Sequence, residues 1–517
     1  MNINNLKQQL FNQNKKYLSL LLLIGIISYL VRDYYFEPEV FLTFDSLGYF
    51  FYATDITVLG HLPENYTLAN NFWPIFLSLF FSLFQFENTI QYMDLQKNLA
   101  MILSTITIIP VYFLARKFVE PKYSIVAAII FTFEPRLIQN SITGIVEPFF
   151  ILLGTLTLLF FLSSKKKLVY LSFVFAALTA ITRGEGQILF FVISLMFFVR
   201  FRKEKLVIPS YLIALMIFVL IISPMMLYQM EIQGTDSIFG RATPTISYHI
   251  KDPSETNGES GFPFFITGVE NFSKFFVWAL IPIFIFFVPI GIFYLFKNPD
   301  FKKLTLILGG IGLFIPAFYA YSIPLLDTRY FFMIYPIFCI ISVFAVKKIS
   351  SYFKKENIII SLIIIGVIFS SIIFLELNSD EGFQKFEAGQ IAKEVINEPK
   401  IMNSFYPEDH YLESAFLPEK WSDFKELFLG KRIDGLYIRN SISSPITTIS
   451  TEGYFSIEDF INEIEELTHI YADGKKERSK FILDVFENEK QYEFLIKEYD
   501  SKDFGYNYHV KIFKIIK

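Results

Sequence analysis

Eleven apolar stretches before residue 375 constrain this chain more than any other feature. They fall at 17–31, 95–115, 123–133, 145–162, 168–181, 187–199, 207–228, 275–296, 304–321, 330–346 and 358–375. A helix crossing the bilayer hydrocarbon needs ~17–25 mostly apolar residues, fewer where its ends snorkel. The stretches predict a polytopic α-helical membrane protein with about 11 transmembrane helices. Residues 17–31 follow Lys15 and Lys16 like a secretion signal, but no small-residue cleavage site follows them, so they read as a retained first span.

The composition agrees. Of 517 residues, 53% are hydrophobic and 19% charged, against about 45–50% and about 25% in soluble domains. The excess sits before residue 375. From residue 376 onward the chain carries 28 acidic against 18 basic side chains, which argues against a nucleic-acid partner. Cys339 is the lone cysteine, so no disulfide or thiolate metal site forms within the chain. The expected division is a transmembrane domain at 1–375 and a soluble α/β domain at 376–517.

Loop charges set the expected orientation. Basic clusters, mostly lysine, occur at Lys15-Lys16, Arg116-Lys117 with Lys122, 165–167, Arg200 and Arg202 with Lys203 and Lys205, Lys297 with Lys302-Lys303, and Lys347-Lys348 with Lys354-Lys355. A further apolar block, 72–86, decides their sidedness. If it does not cross, every cluster lies on one side, as positive-inside topology requires. It therefore reads as a juxtamembrane or re-entrant helix on the outer face. The N-terminus is then cytoplasmic and the C-terminal domain extracytoplasmic. In that domain, 383–398, 457–467 and 480–499 have helical spacing. Ser456 with Asp459 suggests a helix cap. Strands are expected at 401–406, 446–450, 468–472 and 508–516. No phosphate loop, Cys/His cluster or nucleophile elbow occurs there, so the bland reading is a scaffold or acceptor-binding domain.

Basic residues in the tight outer loops are arginines: Arg136, Arg183 and Arg329. Positive charge is disfavoured there. A guanidinium fork matches phosphate oxygens, so the three are candidate ligands of a donor phosphate. The bland alternative pairs each with a neighbouring acid: Glu134, Glu185 and Asp327. Asp45, just after the first span, is the candidate general base; its bland alternative is a solvated juxtamembrane acid. Asp55, Glu147, Glu185, Tyr49 and Tyr330 are candidate substrate-binding residues. A sugar leaving on phosphate needs no proton donor. One base for the acceptor hydroxyl and cations for the phosphate suffice, and in-line attack inverts the anomeric centre.

Five segments then carry a family resemblance: Phe44-Asp45-Ser46, Asn71 to Ser78, Ser141 to Pro148, Leu178 to Gly186 and Asp327 to Pro336. Across residues 17–375 the chain resembles GT-C glycosyltransferases that use polyprenyl-phosphate sugars. Its likeness is to the protein O-mannosyltransferase and aminoarabinose transferase branch, in archaeal-type forms. The resemblance implies a membrane hexosyltransferase with a polyprenyl- or dolichyl-phosphate sugar, mannose-like, as donor. It implies a protein, lipid or glycan hydroxyl as acceptor and Asp45 as the catalytic aspartate. Many mannosyltransferases of the branch carry Asp-Glu where this chain has Asp45-Ser46. The Trp-Trp-Asp motif of oligosaccharyltransferases is absent. No cofactor is specified, and a divalent metal stays open because metal use varies among relatives. Two other classes compete: a polytopic transporter, and a non-catalytic membrane scaffold displaying the C-terminal domain.

Overall fold

We describe a computed structural model of the chain. It describes residues 3–38, 40, 42, 44–64, 68, 71–234, 262–323, 325–377, 401–404, 420–423, 425, 447–451, 454–464, 467–474, 479–505 and 509–516. Two compact units divide it. The first comprises Met1–Phe36, Tyr66–Phe76 and Lys97–Leu377; the second comprises Glu37–Asn65, Leu77–Gln96 and Asn378–Lys517. Segments between the first two expected spans thus cluster with the C-terminal chain, where the sequence reading drew one boundary at 375/376.

Every stretch expected to span is mainly helical, and 275–296 is divided between two helices. Among the described residues, six helices are long and apolar enough to cross a membrane, or seven if one bent pair is a single span. Pro121–Thr132, Glu147–Phe161 and Gly186–Phe201 are shorter. A twelve-residue helix rises only ~18 Å. Burial explains how short helices persist: nearly all of Pro121–Thr132 is packed inside the unit, where protein rather than lipid surrounds the exposed ends. The span within Thr328–Ser351 is 83% buried, whereas those within Lys16–Tyr34, Val207–Ile232 and Glu356–Leu377 are 22–28% buried. The first is therefore a core helix, and the other three leave most of their apolar surface uncovered by the described residues. Block 72–86 forms the helix Phe72–Leu83, too short for a straight crossing.

Arg32, which the sequence presents as a polar flank, is fully buried. Its guanidinium donates to Ser28 Oγ (2.6 Å), Ser104 Oγ (3.0 Å) and the Thr132 carbonyl (3.3 Å). It ties three helices of the membrane unit together.

The expected single span at 275–296 is corrected. The chain forms Phe262–Leu280, breaks, and resumes as Phe284–Phe296. The two segments, taken from Phe264, meet at 103°. Pro282 lies in the break and supplies no N–H to a continuing ladder. The backbone carbonyls freed there find partners. Ile281 and Trp278 accept from Arg136, and Ala279 accepts from the Tyr335 hydroxyl at 3.0 Å.

In the second unit a five-stranded mixed sheet has the order β2-β1-β3-β5-β4. The strands are β1 Ile401–Ser404, β2 Thr447–Ser450, β3 His469–Asp473, β4 Leu495–Asp500 and β5 Val510–Ile515. β1 pairs in parallel with β2 and β3, and β5 pairs antiparallel with β3 and β4. Ile457–Glu463 and Lys480–Glu487 bury Phe460, Phe481 and Val485 in a core with Ile470 and Phe513. Ser456 caps the first, accepting from the Asp459 N–H at 3.1 Å.

The helix expected over 480–499 is also corrected. It stops at Glu487, and residues 495–500 are β4. Leu495, Tyr499 and Asp500 are buried while Ile496 and Lys497 are exposed, around a register shift at Lys497/Tyr499. That shift disguises the two-residue period. The helix expected at 383–398 lies outside the described residues. Within the same unit, Trp421 stacks on Tyr92 (4.0 Å) and stands edge-on to Phe50 (6.3 Å). The Trp421 backbone N–H donates to the Glu87 carbonyl at 2.8 Å. The C-terminal chain therefore grips the segments that precede the second span.

Candidate active site

The membrane unit gathers most of the suspected charges. The helix Lys166–Thr182 ends at Arg183, whose backbone is extended. Gly186 opens the next helix after a three-residue turn. A Cβ on Gly186 would stand 2.5 Å from the Thr179 carbonyl, so only glycine permits this close return. The turn places the Arg183 guanidinium between two carboxylates. It donates to Glu147 Oε1 at 2.5 Å and to Glu185 Oε1 at 2.8 Å. The Phe150 ring lies 5.8 Å from its centre.

Glu147 is buried in the first turn of Glu147–Phe161. There the positive end of the helix dipole favours its charge. Gly144, with φ +73°, makes the turn before it, and the Gly144 carbonyl accepts from the Trp73 indole at 3.3 Å.

Arg329 enters from a different segment. Asp327 caps the 3-10 helix Thr328–Ile334, accepting from the Arg329 N–H at 2.9 Å. The Arg329 Nε lies 3.0 Å from the same carboxylate. Tyr321 fixes the segment by donating to the Asp327 carbonyl at 2.7 Å, and Tyr330 packs edge-on against Tyr321. Arg183 and Arg329 act on a common group. Burial pushes the Glu185 carboxyl up, whereas first Arg183 and then Arg329 pull it down; the cations win, and it lies below the usual carboxylate range.

The structure thus brings together Arg183, Glu147, Glu185, Arg329 and Tyr330. Arg136 goes elsewhere. It is buried, its terminal nitrogens serve the carbonyls at the helix break, and Phe374 lies 4.6 Å from its centre.

Asp45, Tyr49 and Asp55 lie on one helix of the second unit, Phe44–Leu59. Asp45 is half-buried in the first turn, where the helix dipole favours a carboxylate. Tyr49, four residues on, shares its face. Asp55 is buried. Gln96 donates to the Ser46 carbonyl at 2.9 Å, fixing the turn that holds Asp45. Sequence reasoning missed Gln96, which is one of several polar residues in the first half of Thr89–Ile106 and carries no distinguishing local signal. Among the described residues, no three His, Cys, Asp or Glu side chains gather to hold a metal ion.

A helical membrane unit with charged turns at its helix ends, joined to a soluble α/β domain, has the GT-C fold. The archaeal oligosaccharyltransferase AglB from Archaeoglobus fulgidus, in complex with an inhibitory peptide and a dolichol-phosphate, matches with a TM-score of 0.58 and 12% identity, over 94% of this chain and 73% of that one. ArnT from Cupriavidus metallidurans, bound to undecaprenyl phosphate, matches with a TM-score of 0.55 and 10% identity, over 96% of this chain and 98% of that one. No protein-family model and no curated protein matches the chain.

Proposed function

We propose that this chain is an inverting membrane glycosyltransferase. It moves a sugar, a mannose-like hexose, from a polyprenyl- or dolichyl-phosphate carrier to a hydroxyl acceptor at the outer face. The observation that carries the reading is the cluster Glu147–Arg183–Glu185–Arg329 at the helix ends. It occurs in a fold shared with two proteins solved with polyprenyl-type phosphates.

In the proposed step the acceptor oxygen attacks the anomeric carbon as Asp45 takes its proton. The new C–O bond forms, the bond to phosphate oxygen breaks, and the lipid phosphate leaves with the electron pair. Arg183 and Arg329 stabilise its charge. Three carboxylates (Glu147, Glu185 and Asp327) accompany the two guanidiniums. The resting arrangement is therefore already paired. An incoming phosphate displaces Asp327, whose side chain is 48% exposed, from Arg329. Arg136 is not carried into this role, because the helix break occupies its donors.

A transporter would share the broken helix, since such breaks offer carbonyls to ions. Here Arg136 already supplies the cation, which favours the enzyme. The test is transfer of label from polyprenyl-phosphate hexoses to a membrane extract by the purified full chain. Asp45→Asn should lower transfer by ~10²–10⁴-fold with expression unchanged. Transfer at the wild-type rate by that variant overturns Asp45 as the base, and no transfer from any such donor by the wild type overturns the activity.

A further inference from the structure

The lysine-rich turns of the membrane unit form a second feature, independent of the proposed reaction. Turns at the starts of Pro121–Thr132, Phe301–Ser322 and Glu356–Leu377 meet the end of Tyr335–Ser351 around a cavity of about 680 Å³. Five lysines line it: Lys122, Lys297, Lys303, Lys347 and Lys348. They face two carboxylates, Glu120 and Glu356. Lys122 pairs with Glu356 at 2.7 Å, and Lys347 pairs with Glu120 at 2.9 Å. Three positive charges remain in excess. Among the described residues, neither Lys297 nor Lys348 has a carboxylate partner.

The cations are built into the wall. Lys303 Nζ is anchored on the Lys297 carbonyl at 2.7 Å and lies 5.6 Å from the Phe344 ring. Lys348 Nζ lies 4.4 Å from the Tyr352 ring and 5.9 Å from that of Tyr294. Alternating rings and ammonium groups suit the headgroup level of a bilayer, where both are at home.

Distance separates this cavity from the arginine cluster. Phe301–Ser322 begins at the cavity and carries in its last turn Tyr321, which donates to the Asp327 carbonyl beside Arg329. Its 22 residues rise ~33 Å, about one hydrocarbon thickness. The ligand class follows from what adjoins the cavity. Glu356 opens a helix whose apolar window is only 22% buried, so lipid chains have a free face directly below the charged cavity. Basic pockets between helix ends are suited to anionic lipid headgroups.

We propose that this cavity binds the headgroup of an anionic membrane phospholipid. Its phosphate meets Lys297, Lys303 and Lys348, and its acyl chains run along Glu356–Leu377. The test is thermal unfolding of the purified full chain in detergent, with added phosphatidylglycerol, phosphatidylcholine or inorganic phosphate. Phosphatidylglycerol should raise the wild-type Tm by several degrees and the other two should not. The double variant Lys297→Gln/Lys348→Gln should lose that rise. Lys203→Gln/Lys205→Gln removes the same charge outside the cavity and should keep it.

Equal responses in both double variants, or no response in the wild type, overturn the proposal. A rise with inorganic phosphate equal to that with phosphatidylglycerol assigns the cavity to a soluble phosphoryl group and likewise overturns it. Should the cavity variant fail to fold, native mass spectrometry compares phosphatidylglycerol bound to wild type and to Lys348→Gln. Fewer bound molecules support the site, and equal numbers sink it.

Discussion

Arg183 shows what a single buried charge does in this molecule. Its side chain is 13% exposed and that of Glu147 is 3% exposed, so neither is hydrated well enough to stand alone. Arg183→Ala should cost ~3–5 kcal/mol, because it strands a buried carboxylate. Thermal unfolding in detergent measures this. Adding Glu147→Gln should restore part of the loss; purely additive losses would show that the two do not stabilise each other. Half of this arrangement was legible in the sequence. Glu185, two residues from Arg183, was an evident partner, as Asp327 was for Arg329. Glu147, 36 residues earlier, was suspected as an acid but not as the partner of Arg183. That contact depends on how Glu147–Phe161 packs on Lys166–Thr182, which no local pattern records.

At the level of elements, the break between Phe262–Leu280 and Phe284–Phe296 is the clearest case of tertiary control. Apolar residues continue across it, and hydropathy is the same for a straight helix and a bent one. The bend leaves carbonyls that lipid cannot satisfy. Arg136 reaches them across more than 140 residues of sequence. Arg136→Ala should leave the Ile281 carbonyl without its donor, at ~1–3 kcal/mol, while the Trp278 carbonyl keeps the Ile281 N–H at 3.2 Å. The expected results are a lower detergent Tm and faster hydrogen exchange at amides 278–284; unchanged exchange there would remove Arg136 as the prop of the bend. The strand Leu495–Asp500 makes a similar point. Its register shift beside β5 breaks the alternation by which a strand is recognised, and pairing with β5 decides its form.

For the molecule as a whole, charge asymmetry makes a prediction about sidedness. Cys339 is buried and is the lone cysteine, so Cys339→Ala provides a clean background. In intact cells, a membrane-impermeant maleimide should label Lys502→Cys and spare Lys203→Cys. The reverse pattern would invert the proposed orientation. Two neighbours at 10–12% identity share this fold, so residue identity is not what specifies it. The sequence by itself determined the order of the apolar segments, the lysine-rich ends, and the change to an α/β pattern. Those are properties of transfer from water to hydrocarbon, which each segment carries locally. Only the tertiary structure decided which helix bends, which arginine reaches the carbonyls of that bend, and where lysines line a cavity. Those outcomes depend on side chains from distant segments satisfying one another where water is excluded.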